Sequence, residues 1–185
     1  MLPKYKYLLT YRYAEIIQDL TVIFCEKFLY GFDYRRTREQ MIQAARSGKQ
    51  NIVEGVGQSG TSKKGEIKLL GVSKASFEEL LSDYEDYLRQ RNLSIWPKTD
   101  CRINTFRTKA YSLSHIGNLS DLGNLIKGPL LPENSSEAAN FLLTLCHQVT
   151  FLLNRQIKAD EDKFIKEGGY TENLFKRRLG CKISK

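Results

Sequence analysis

His115 and His147 are the only imidazoles in the 185 residues, and they lie in different segments. A hydrolytic triad or a metal site needs several bases or ligands converging on one point. His147 follows Cys146, but neighbours on a helix point about 100° apart and cannot share one ion. Both histidines read as structural or solvent-facing. Cys25, Cys101, Cys146 and Cys181 are scattered, with no C-x-x-C pair and no His at ligand spacing. They read as reduced packing cysteines, not as a disulfide framework.

Carboxylates gather at Glu78, Glu79, Asp83, Glu85 and Asp86 and again over 160–162. The Glu-x-x-His motifs of di-iron bundles are absent, so both clusters read as solvated acidic faces. Gly57 and Gly60 with Lys63, Lys64 and Gly65 lack the ordered G-x-x-x-x-G-K-[ST] phosphate loop and read as a turn. Glu54 lies in an apolar stretch, where a carboxylate is costly unless paired, so it reads first as a structural hydrogen-bonding residue and second as an interface residue. No catalytic residue, cofactor or metal site is expected.

Basic side chains remain as the chemistry. The chain carries 29 Lys+Arg against 21 Asp+Glu, a net of +8. Residues 35–74 hold nine Lys/Arg and three acids, a net of +6; 75–92 net −3; and 173–185 net +5 with no acid. A basic end around the second helix and the start of the third would attract phosphate through counterion release. The expected phosphate contacts are Arg35, Arg36, Arg38, Arg46, Lys49, Lys63, Lys64 and Lys68, with Lys176, Arg177 and Arg178 in the tail. No recognition motif accompanies them, so binding of RNA or DNA should be sequence-nonspecific.

Helices must position these groups. Tyr13, Ile16, Ile17, Leu20, Phe24 and Phe28 recur three and four apart, predicting a helix over 9–30 that Gly31 ends. A second helix is expected over 37–57, with Thr37 and Gln40 as its capping box. Its Gly48 should weaken it by ~1 kcal/mol unless a neighbour needs the space. The third, over 63–92, carries Ile67, Leu70, Phe77, Leu81, Tyr84 and Leu88 as an a/d seam. The fourth, 134–167, opens on Asn134 and is stopped by Gly168 and Gly169, leaving a basic tail over 168–185.

Residues 93–133 break the pattern with Pro97, Gly117, Gly123, Gly128, Pro129 and Pro132. So long a connection should hold structure of its own, and Asp100 to Leu113 reads as a short helix. No segment alternates with period two. The expectation is an all-α, single-domain, up-down four-helix bundle with a partly helical insert between helices 3 and 4.

Apolar residues are 41% and charged residues 27%, ordinary globular usage that argues against disorder. No apolar run approaches the ~20 residues of a membrane span. The start, Met1 to Tyr7, is too polar and aromatic for a signal-peptide apolar region. A cytoplasmic protein without membrane contact is expected.

Two stretches carry a resemblance. Asn51-Ile52-Val53-Glu54-Gly55, with Ser76-Phe77-Glu78-Glu79-Leu80 following, resembles the four-helix-bundle proteins encoded in bacterial 23S rRNA intervening sequences. Their run is Asn-Ile-Ala-Glu-Gly, then Gly-Ser and Glu-Leu; here Val53 replaces the Ala and Ala75 the Gly. Leu152 to Gln156 and Glu167-Gly168-Gly169-Tyr170-Thr171-Glu172 are similar to the variant bearing a C-terminal "suffix" segment. The resemblance implies a left-handed up-down bundle, assembly into pentameric rings and structural roles for Asn51, Glu54 and Gly55. A distant relative, the basic accessory protein of diversity-generating retroelements, binds reverse transcriptase and nucleic acid. The 93–131 region departs from the short family loop.

The functional expectation is a non-enzymatic homo-oligomer with a basic surface for RNA or DNA. The alternative is a protein-interaction scaffold that docks a partner through Trp96, Phe106 and Tyr111, without nucleic acid.

Overall fold

Apolar residues spaced three and four apart fold the first segment into α1 (Leu9–Phe28), burying Tyr13, Ile16, Ile17, Leu20 and Phe24. In the computed structural model, residues 3–114 and 131–183 are described. His115, the glycines at 117, 123 and 128, Pro129 and Lys185 lie outside the described residues, as do the side chains of Leu113, Cys181 and Lys182.

Gly31 leaves α1 at φ +97°, the left-handed region expected there. The next helix, α2 (Arg35–Gln58), begins two residues earlier than the Thr37 box implies, and Tyr34 precedes it without a side-chain cap. The turn is held instead by Arg38, whose guanidinium donates to the carbonyls of Leu29 and of Gly31, the latter at 3.0 Å. Helix α3 (Lys63–Gln90) opens on Ser62, whose hydroxyl accepts from the Gly65 amide at 3.0 Å.

A short helix, α4 (Cys101–Ser114), forms where Asp100 to Leu113 predicts one. The longest, α5 (Ser135–Glu167), is capped by Asn134, whose Oδ1 accepts from the amides of Ser136 and Glu137. Past Gly168 the chain does not trail off as a tail. It folds into a further helix, α6 (Tyr170–Ile183). The described residues contain no strand.

α1 packs on α2 and α5, and α3 packs on the same two helices, so the four apolar stripes share one core. Tyr84, Phe24, Phe77 and Phe141 are fully buried there. Burial of each such ring contributes about 1.5–3 kcal/mol. α2 and α3 approach closely through small residues. Gly55 faces the backbone of Glu66, and Ser73 Oγ donates to the Gly48 carbonyl at 2.7 Å. A polar seam runs alongside: Asn51 Nδ2 donates to the Ser47 carbonyl at 2.8 Å, and the Ser47 and Ser76 hydroxyls are 3.0 Å apart.

The start of the insert is bound to α5. Asn140 accepts from the Trp96 amide at 2.8 Å and donates to the Ser94 carbonyl at 3.0 Å. The Trp96 and Phe106 rings stack, and Phe106 packs on Phe141. Two of the three aromatic residues expected to form a docking surface are therefore half-buried against each other, while Tyr111 is exposed.

Candidate nucleic-acid interface

The expected phosphate contacts do not form a single basic end. Arg35, Arg36 and Arg38 lie on the first turns of α2, whereas Lys63, Lys64 and Lys68 follow its far end. A helix of 24 residues separates the two groups, about 36 Å at 1.5 Å per residue. At the first group Arg35 pairs with Glu39 at 3.0 Å. Arg36 is exposed and lines a shallow groove that Glu39 and Glu79 also border. Arg38 is committed to the α1–α2 turn.

Between the ends, Arg46 is exposed on the outer face of α2, and Lys49 is half-buried towards α1. Burial raises the pKa of Asp19 on α1, and the Lys49 charge opposes that rise.

Lys63 is the clearest departure from expectation. Its ammonium is 2.6 Å from Glu66 Oε2 and 2.6 Å from Asp160 Oδ1, with only 19% of the side chain exposed. Burial disfavours its charge, but hydrogen bonds to Asp160 and Glu66 outweigh that, so its pKa is raised. Lys63 thus ties α3 to α5 and is not a free contact for phosphate. Glu66, 5% exposed, is the buried carboxylate of this region. Glu54 instead stands exposed on the solvent side of α2, because it falls opposite the stripe of Met41, Ala45, Ile52 and Gly55.

Lys64 and Lys68 are exposed on the first turns of α3, and Lys176, Arg177 and Arg178 are exposed on α6. The fold brings the start of α6, with Arg177, beside the turn that leads into α3. A cleft of about 340 Å³ is bounded by Ser59 and Gly60 of the α2–α3 turn, Lys63, Lys163, Glu167 and Arg177. Glu167 tempers the charge by pairing with Lys163 at 3.8 Å. The α6 helix begins beside this cleft, where the Gly169 amide donates to Glu172 Oε2 at 3.0 Å.

Lys163 was not among the expected contacts, although a lysine in the closing turns of a helix is a signal in itself. What hid it was the intervening run of Asp160, Glu161 and Asp162, which reads as an acidic face.

No group of three or more His, Cys, Asp or Glu among the described residues is placed to hold a metal ion. Cys25 and Cys146 are free and buried, Cys101 free and exposed. Burial pushes the Cys25 thiol up to about 12 and raises that of Cys146. Burial, then Lys98 and Arg107, lower the pKa of His147, with Glu85 opposing them. No helix among the described residues is long and apolar enough to cross a membrane.

The chain matches no protein-family model, no curated protein and no solved structure.

Proposed function

We propose that the protein is a non-enzymatic, homo-oligomeric, up-down four-helix bundle with a partly helical insert, and that a basic corner of it binds RNA or DNA without sequence preference. One observation carries the reading: the cleft where the α2–α3 turn, the end of α5 and the start of α6 meet, bordered by Lys163 and Arg177, with Lys63 held in its wall by Glu66 and Asp160. Lys64, Lys68, Lys176 and Arg178 are exposed on the two helices that lead from it.

Such a corner engages phosphate through charge and carries no base-reading element, so affinity falls with salt rather than with sequence. The resemblance to the proteins of 23S rRNA intervening sequences agrees with this reading and with a ring of copies in the cytoplasm. The exposed Leu174, Phe175 and Leu179 of α6 supply apolar surface for self-association.

The test is fluorescence anisotropy with labelled single-stranded RNA and duplex DNA at increasing salt, alongside light scattering to count copies. The expected result is binding of several sequences with equal affinity and a linear fall of log K with log salt. No binding at low ionic strength refutes the nucleic-acid reading, and a monomer at all concentrations refutes the assembly.

A further inference from the structure

Far from the basic corner, the insert and α5 enclose a cavity of about 330 Å³. Its body is apolar: Ile95, Trp96, Ile103 and Leu143, with Phe151 at the rim. Its charged lining is of one kind, since Lys98 and Arg107 border it beside His147 and no carboxylate does. The mouth exposes large apolar side chains, Ile95 at 50% and Phe151 at 59%. Isolated exposed apolar residues need no explanation, but two flanking a cavity mark surface that a ligand would cover.

The walls are preorganised. Asn140 clamps the backbone of Ser94 and of Trp96 onto α5. Arg102 stacks over the Trp96 ring at 3.5 Å and is itself held by Asp100 at 2.7 and 3.0 Å. The arginine fork keeps the Asp100 carboxyl down at about 2. A site fixed in this way loses little side-chain freedom when it is filled.

We propose that this cavity binds a small organic anion, an apolar aryl or alkyl body with a single carboxylate, the body lying against Trp96, Ile103 and Leu143 and the carboxylate facing Lys98 and Arg107. The size lies at the lower end of the range for small-molecule sites, about 300–1,000 Å³. An apolar body suits the lining, and two cations with no carboxylate in the lining itself favour a single negative head, Glu85 acting on His147 from outside it. His147, exposed beside the cavity, adds a polar wall.

Trp96 is the only tryptophan of the chain, so its fluorescence reports on the cavity directly. The full-length protein would be titrated with 4-phenylbutyrate and with the matched alcohol 4-phenylbutanol, reading Trp96 emission and heat of binding. The carboxylate should bind about tenfold tighter than the alcohol, the ratio expected for one charge-assisted contact. The double variant Lys98→Gln with Arg107→Gln, both residues being exposed, should lose that preference while leaving alcohol binding within twofold. Phe151→Ala should weaken both ligands. Equal affinity for acid and alcohol, no binding of either at millimolar concentration, or carboxylate binding untouched by the double variant would each overturn the proposal.

Discussion

Gly48 of α2 and Phe77 of α3 meet so closely that a Cβ on residue 48 would lie 2.6 Å from the phenyl ring. The ring fills the space that a side chain would take, and Ser73, one turn before Phe77, donates to the Gly48 carbonyl at 2.7 Å. A glycine in mid-helix is therefore the condition for a fully buried ring between two helices, not a flaw in α2. Helix propensity and packing pull in opposite directions at this position, and packing dominates.

Replacing Gly48 by Ala gains about 1 kcal/mol of helix propensity, but overpacking against a fixed ring costs about 1–3 kcal/mol. The expected outcome for Gly48→Ala is a net loss of stability of about 1 kcal/mol, read from the urea midpoint at unchanged m-value. Gly48→Ala combined with Phe77→Leu should lose less than the two single changes added together. A Gly48→Ala protein more stable than the parent would mean that the ring yields.

Lys63 lies between Glu66 and Asp160. Lys63→Met leaves two carboxylates facing each other in a half-buried place and should destabilise by about 2–3 kcal/mol, whereas Lys64→Met on the exposed face should stay within about 0.5 kcal/mol. The pKa of Lys63 is raised above its ordinary 10.5 in the folded protein. Its contribution to stability is therefore complete below that value and is lost as pH rises through the higher folded one. Thermal melts between pH 8 and 11 should show a fall above pH 10.5 that Lys63→Met lacks.

Asp83 on α3 costs stability at neutral pH, where Lys63 adds it. Burial first, then the charges of Glu79 and Asp86, push its carboxyl up to about 6 from 3.8. A carboxyl raised in the folded state favours folding while protonated, and that advantage disappears as pH rises from 3.8 through 6. Asp83→Asn should therefore stabilise the protein at pH 7.5 and have no effect at pH 3.5. The gain is about 1 kcal/mol, the full shift being discounted for solvent screening of a half-exposed group. Urea titrations at the two pH values decide it; an equal effect at both would place the cause outside ionisation.

Structural and phosphate-binding cations separate by assay. If the basic corner binds nucleic acid, Lys64→Gln, Lys68→Gln and Arg177→Gln should each lower the salt dependence of binding by about 1 in slope, with melting temperatures unchanged. Arg38→Gln removes the fork that holds the α1–α2 turn. It should cost about 1–2 kcal/mol of stability and leave the salt slope as it was. The reverse assignment, a stable Arg38→Gln protein with a reduced slope, would move the interface to the start of α2.

Local features of the fold were legible in the amino acids because local physics sets them. Apolar spacing places α1, α3 and α5 to within two residues at each end. The Asn134 cap, the left-handed Gly31 and the short helix after Asp100 are local too, each depending on neighbours a few positions away. Even the reason for Gly48 could be framed in advance as space for a neighbour, though not which one. α6 escaped because its apolar residues form no clean stripe and two glycines precede it.

The partners of the charged side chains could not be read from the chain. Whether Lys63 is free or enclosed depends on Asp160 arriving from another helix, and whether Glu54 or Glu66 is buried depends on how α2 and α3 are rotated against each other. Trp96 is placed beside α5 because Asn140 holds its backbone there. The sequence alone determined where the four long helices run and their apolar stripes lie, and that the chain is basic. Only tertiary packing decided which cations remain available and where a cavity opens, because side-chain burial and pairing are set by contacts between helices, and those contacts have no local code.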